Sequence, residues 1–195
     1  MQNLPQELWQ RLERYRFRVF VQHLGWDMPH VPASVPGGER DQFDQPDTLY
    51  VIALSDNDGE IIGCARLLPT LRPYLLREVF PMLLGDQPLP SRADLWELSR
   101  FAALDLSALS KRRQGQVSSP HARKLIRAVM GCVARRGGHE LITASPVAMA
   151  RLLRHNGIAA SCAGPVCLVD GERLCAFRMS TKLGLLNRRH PVSVV

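Results

Sequence analysis

Carboxylates, arginines and aromatic rings recur in the first hundred residues at spacings that could do chemistry. Asp41 and Asp44 lie three apart in a segment rich in proline and glycine. Two carboxylates so placed can meet a cation or be fixed by an arginine. Arg16 and Arg66 could hold a ligand's carboxylate or lock that acidic segment. Phe20 and Trp26 offer π faces of the kind that attract cations, while for Phe20 and Phe80 plain core packing is an equal alternative. Glu97 stands in an otherwise apolar run with Leu95, Trp96, Leu98 and Phe101. An unpaired charge there is costly, so Glu97 needs a partner or a task. In a partly dry cleft it could take a proton as a general base. A purely structural reading joins Arg16, Arg66 and Arg100 with Asp41, Asp44 and Glu97 in one ion-pair network. The two readings are compatible, because such networks also preorganise ligands. Strand alternation puts Glu97 and Ser99 on one face and Arg100 on the other. Glu97 and Arg100 therefore share a site only if the strand carries a bulge.

The elements that must hold these groups are legible from periodicity and turn residues. Residues 5–23 read as an amphipathic helix, with Leu8, Leu12, Tyr15 and Val19 at helical spacing. A long loop over 25–48 follows. A hairpin comes next, with strands at 49–55 and 60–68 around Asp56-Asn57-Asp58-Gly59. Residues 74–84 have a helical pattern broken by Pro81, and 95–103 read as a strand. Residues 105–119 are polar and loop-like. A helix over 120–136 turns Leu125, Ile126, Val129 and Val133 inward and stops at Gly137-Gly138. A short strand at 140–144 precedes a helix at 146–155. Strands at 163–169 and 173–179 flank Asp170-Gly171-Glu172. The expected fold is mixed α/β: one domain over residues 1–195, with a mixed central sheet and helices on both faces. Residues 1–48 are expected to form the N-terminal helix and a mobile loop, and 183–195 a weakly ordered tail.

The 195 residues are 46% hydrophobic and 22% charged, a globular composition. No apolar run approaches the ~20 residues of a membrane span. The polar N-terminal stretch lacks the apolar core of a signal peptide. A cytoplasmic location and no membrane partner are expected. Five scattered cysteines form no C-x-x-C pair, so they read as reduced and mostly buried, with no metal site. Charge is unevenly placed. Residues 1–100 carry ten arginines against fourteen acids, net −4, and 101–195 carry fifteen basic side chains against four acids, net +11. The second half suits an acidic partner. Nucleic acid is not indicated: no zinc-finger spacing or basic zipper occurs, and aromatics, 6% of the chain, lie mostly in the acidic half.

Four ordered segments carry a family resemblance: RYRFRVFVQHLGWDMP (14–29), ERDQFD (39–44), GCARLLPTLRPYLLREVF (63–80) and WELSRFAA (96–103). Together they resemble the acyl-homoserine-lactone synthases, the autoinducer synthases of bacterial quorum sensing. A weaker match resumes in LITASPVAMARLLRHNGI (141–158). The resemblance implies a GNAT-related fold and two substrates, S-adenosylmethionine and an acyl chain on acyl carrier protein. It implies no metal and no cofactor. It assigns Glu97, Arg100 and Ser99 to catalysis. Arg16, Phe20, Trp26, Asp41, Asp44, Arg66, Phe80 and Phe101 go to the S-adenosylmethionine side. The family position of Thr143 tends to carry a hydroxyl in enzymes taking 3-oxo-acyl groups, and Met149 and Leu152 are expected beside it in the acyl pocket. Arg123, Lys124, Arg127, Arg151 and Arg154 are the candidate carrier-protein contacts. Two rivals remain open. One is a plain GNAT-type acetyltransferase using acetyl-CoA, whose phosphate loop is only half matched by 112–117, where Val117 replaces a glycine or alanine. The other is a non-catalytic protein that binds S-adenosylmethionine or a lactone.

Overall fold

Pro5 caps helix α1 (Gln6–Arg16), which buries Trp9, Leu12 and Tyr15 along one face. This computed structural model describes residues 4–27, 32–107, 119–155 and 157–182, with the backbone alone at 119, 120, 151, 152 and 155. The expected helix over 5–23 changes character at its middle. From Phe17 to His23 it widens into a π-helix that buries Val19 and Phe20. Gly25, at φ 68°, then reverses the chain, and Trp26 N–H reaches back to Phe20 O at 2.9 Å. The 3.6-residue pattern does not report this widening, because only two inward side chains fall within it.

The chain divides into two compact units. The described residues of the first lie in Met1–Arg66 and Arg100–Ile126, and those of the second in Leu67–Ser99 and Arg127–His190. Strands β1 (Leu49–Leu54) and β2 (Ile61–Pro69) flank a turn closed by Ser55 N–H on Glu60 O at 2.8 Å. Arg11 ties that turn to α1 through the Gly59 carbonyl at 2.5 Å. The core of the first unit gathers Trp9, Leu12, Tyr15, Val19 and Phe20 with Tyr50, Ile52, Ile61 and Cys64. Trp9 meets Tyr50 edge-on at 5.4 Å between ring centroids.

In the second unit a short helix α2 (Leu75–Glu78) and a 3₁₀ turn (Pro81–Leu84) occupy the stretch where Pro81 breaks the helical pattern. Strand β3 (Leu95–Ala102) runs parallel to β4 (Glu140–Pro146), with Glu97 opposite Ile142. Helix α3 (Ser119–Arg135) buries Leu125, Ile126, Val129 and Val133, the face expected from spacing. Helix α4 (Val147–His155) leads to β5 (Ala160–Cys162), β6 (Cys167–Val169) and β7 (Glu172–Ser180), which pairs antiparallel with β4, β5 and β6. The strand order is β1-β2-β3-β4-β7-β5, with β6 also on β7. The mixed α/β fold is thus as expected.

One element is corrected. Of the strand expected over 163–169 only β6 at its end is formed; 163–166 are not strand, and the three-residue β5 lies before the expected range. Gly164 presses on the 3₁₀ turn so closely that a Cβ would lie 2.2 Å from Leu83 O, and Pro165 sits over Gly85. That contact, together with the missing proline N–H, interrupts the ladder. Among the free cysteines Cys64, Cys132 and Cys175 are buried, whereas Cys162 is exposed and Cys167 is half-buried. The expectations for residues 108–118 and 183–195 lie outside the described residues. Among the described residues no helix is long and apolar enough to cross a membrane. No group of three or more His, Cys, Asp or Glu there could hold a metal ion.

Candidate active site

Three arginines and three carboxylates interlock inside the first unit. Arg16, from the end of α1, donates to both oxygens of Asp44 at 2.8 and 3.0 Å and to Glu39 at 2.5 Å. Arg66, from β2, donates to both oxygens of Asp41 at 2.5 and 3.0 Å and to Asp44 at 2.9 Å. Arg100, from β3, donates to Asp41 at 2.6 Å and to Glu39 at 3.1 Å. Tyr50 adds a hydroxyl bond to Asp44 at 2.5 Å. All six charged residues are buried. Fork-to-fork pairing of this kind fixes both position and direction. Arg16 and Arg66 therefore lock the acidic segment in place.

The third carboxylate of the network is Glu39, which the sequence reading passed over although it opens the ERDQFD motif. In an extended segment residues 39 and 41 fall on one side, and that spacing was the available signal. Tyr50 was also missed.

The electrostatics follow from burial against charge. Burial pushes Asp41 and Asp44 up, but the guanidinium partners outweigh it, so both titrate below the ordinary carboxylate range. Arg16 and Arg66 are held above the ordinary arginine range, because their carboxylate partners outweigh burial. Arg100 is shifted the other way, first by burial and then by the nearby Arg66. Beneath it, Cys64 donates to the Arg100 carbonyl at 3.3 Å, and burial pushes this thiol up to about 12.

Two rings pack against each other within this unit. Phe20 is fully buried and stacks on Trp26 at 4.9 Å, with the Arg100 guanidinium over its ring at 5.7 Å. Trp26 is half-buried. Arg66 similarly sits over Phe43 at 5.8 Å. Arg100 adopts φ 48°, the left-handed region that a β-strand does not use. This departure breaks the simple alternation of β3 at Arg100.

Glu97 lies in the second unit and is fully buried. Its two oxygens accept the Leu75 and Leu76 N–H groups, each at 2.7 Å. These are unsatisfied donors of the first turn of α2, which a carboxylate satisfies well. Ser99 is buried, while Phe80 and Phe101 are half-buried.

Thr143 is buried on β4 opposite Phe177, and its hydroxyl lies 3.1 Å from Ser145 Oγ. Met149 is half-buried on α4, beside Ala150, which packs with Cys175 and Phe177. Arg123, Lys124, Arg127 and Arg154 are exposed. The side chains of Arg151 and Leu152 lie outside the described residues.

Residues 3–182 match the family model described as autoinducer synthase. The chain belongs to the autoinducer synthase family. An acyl-homoserine-lactone synthase of Acinetobacter nosocomialis is 44% identical over 176 residues, covering 89% of this chain and 92% of the relative. The crystal structure of TofI in a ternary complex with an inhibitor and MTA is 42% identical with a TM-score of 0.76, over 92% of this chain and 88% of TofI. A CoA-dependent acyl-homoserine lactone synthase, MesI, is 27% identical with a TM-score of 0.74, over 90% and 82% of the two chains. A putative N-acetyltransferase from Lactobacillus plantarum, 17% identical with a TM-score of 0.54 over 88% and 90%, shares the fold alone. This autoinducer synthase is thus an acyltransferase on a GNAT-like fold.

Proposed function

We propose that this synthase acylates the α-amine of S-adenosylmethionine with an acyl group carried as a thioester on acyl carrier protein, then closes the lactone. The α-ammonium first loses a proton to Glu97, directly or through one water. The free amine attacks the thioester carbonyl, an amide C–N bond forms, the C–S bond breaks, and the carrier thiolate takes the proton. In the second step the substrate's own carboxylate attacks its γ-carbon. The carbon–sulfonium bond breaks and methylthioadenosine leaves as a neutral thioether. A sulfonium is already a good leaving group, so the protein has mainly to hold a near-attack shape. The locked network of Arg16, Arg66, Arg100, Glu39, Asp41 and Asp44 supplies that rigidity, with Trp26, Phe80 and Phe101 as ring contacts. Ser99 is proposed to act beside Glu97 and Arg100.

One observation carries the reading: β3 bears both a fully buried, amide-fixed Glu97 and the Arg100 that completes the network, in a chain of this family. TofI is described with MTA, which fits the expected product. Thr143 is proposed to donate to a C3 oxygen of the acyl chain, with Met149 and Leu152 lining the groove.

The carrier-protein donor is supported by the exposed Arg123, Lys124 and Arg127 on α3. The CoA-dependent MesI makes acyl-CoA the specific second reading. Purified protein mixed with S-adenosylmethionine and either donor tests both. Methylthioadenosine and an N-acyl-homoserine lactone should form in equal amounts, faster with the carrier protein. Acetylated products from acetyl-CoA, with no methylthioadenosine, would overturn the reading.

A further inference from the structure

We propose that Glu13 is a positioning residue for S-adenosylmethionine, acting through the acidic segment. This inference rests on the S-adenosylmethionine reading above. Glu13 lies on the inward face of α1, three residues before Arg16, and is fully buried. A glutamate on that face adds little to apolar packing and carries a desolvation cost, so its partners must justify it. Both its oxygens accept the Ser34 N–H, at 3.0 and 3.1 Å, and one also accepts the Ser34 hydroxyl. Its backbone carbonyl accepts the Glu39 N–H at 3.0 Å.

Between these two anchors the chain makes one tight turn. Gly37 adopts φ 68°, and Gly38 N–H bonds to Val35 O at 3.1 Å. Gly38 lies against α1 so closely that a Cβ there would stand 3.1 Å from Glu13 Cβ and 2.9 Å from Ala33 Cβ. Glu39, Asp41 and Asp44 follow directly. Helix α1 therefore grips this segment twice from one face. Arg16 holds its carboxylates by charge. Glu13 holds the turn before them by an N–H and a hydroxyl, which sets where the carboxylates begin. Loss of Glu13 leaves the ion pairs available but loosens their delivery, and the substrate that depends on a preformed segment suffers.

Isothermal titration with S-adenosylmethionine and steady-state kinetics on the full chain test this in Glu13→Ala, Ser34→Ala, the double variant and Glu13→Gln. Glu13→Ala should weaken S-adenosylmethionine binding about tenfold, the worth of one or two buried hydrogen bonds. Its kcat at saturating substrate, and its KM for the acyl donor, should stay within about threefold of wild type. Ser34→Ala should weaken binding in the same direction, and the double variant should be no worse than Glu13→Ala, because the two groups act as one. Glu13→Gln should recover most of the loss, since its amide can accept the Ser34 N–H and donate to the hydroxyl. Unchanged binding in Glu13→Ala, or equal losses for both substrates, would overturn the proposal. If Glu13→Ala does not fold, Ser34→Ala decides, and wild-type affinity in that variant is equally fatal. Failure of the wild type itself to bind S-adenosylmethionine would instead remove the functional reading, and would be seen before any variant is made.

Discussion

Both oxygens of Glu97 accept backbone amides, so the isosteric test of this residue has two readouts. Glu97→Gln removes the base and also turns an amide donor toward one of the α2 N–H groups. Turnover should fall about 10²–10⁴-fold, the usual worth of a general base, and Tm should fall by several degrees; rates and thermal melts of one preparation check both. A lowered Tm with wild-type turnover would leave Glu97 a helix cap. Asp41 and Asp44 make a second residue-scale prediction. Their folded pKa values lie below the ordinary value of 3.8, so the stability they contribute is fully present above that pH. It is lost as pH falls below about 4 toward the folded values. Melting temperature should be level from about pH 5 to 7 and drop steeply below about pH 4. Asp44→Asn should start lower and lose part of that slope. At this scale the sequence announced Arg16, Arg66, Asp41 and Asp44 through residue type and spacing. It concealed Glu13, because a single glutamate in a helical pattern looks like a solvated one until the fold closes over it.

At the scale of elements the divergences have local physical causes. Strand and helix periods located β1, β2, β3, α3 and β4 because each has a consistent buried face. The π-helical turns of Phe17–His23 escaped because seven residues are too few to separate a wider period from 3.6. The loss of strand over 163–166 escaped because it comes from a neighbour, the Leu83 carbonyl against Gly164, and Gly-Pro alone does not say what lies beside it. Gly164→Ala should therefore destabilise by about 1–3 kcal/mol, the range for overpacking a tight site. Denaturant midpoints should move accordingly, with an unchanged m-value. An unaltered midpoint would mean that the 3₁₀ turn yields freely.

For the molecule as a whole, charge is segregated along the chain and the two proposed substrates should feel it differently. The acidic cluster of the first unit is buried and balanced. The basic side chains of α3 are exposed, where salt screens them. Reversing Arg123, Lys124 and Arg127 to glutamate should raise KM for the carrier protein about tenfold or more and leave KM for S-adenosylmethionine unaltered. Added salt should act in the same direction on the wild type. Rates indifferent to salt up to about 0.5 M would return these side chains to the role of solvated surface. Composition alone showed this asymmetry. It did not show which basic residues are exposed, since that depends on which face of α3 the core takes.

The balanced network also constrains how the chain can change over time. Removing one member strands an opposite charge in the interior, at a cost of about 3–5 kcal/mol, against a total stability of about 5–15 kcal/mol for a typical protein. Single substitutions at Arg16, Glu39, Asp41, Asp44, Arg66 or Arg100 therefore each give up a large share of the fold's stability, whatever their effect on the reaction. An apolar replacement of the whole set could be just as stable, but every one-step route to it crosses a valley. Lineages descending from this sequence should keep all six or lose several together, and laboratory libraries that vary one position at a time will find this region silent while paired libraries will not.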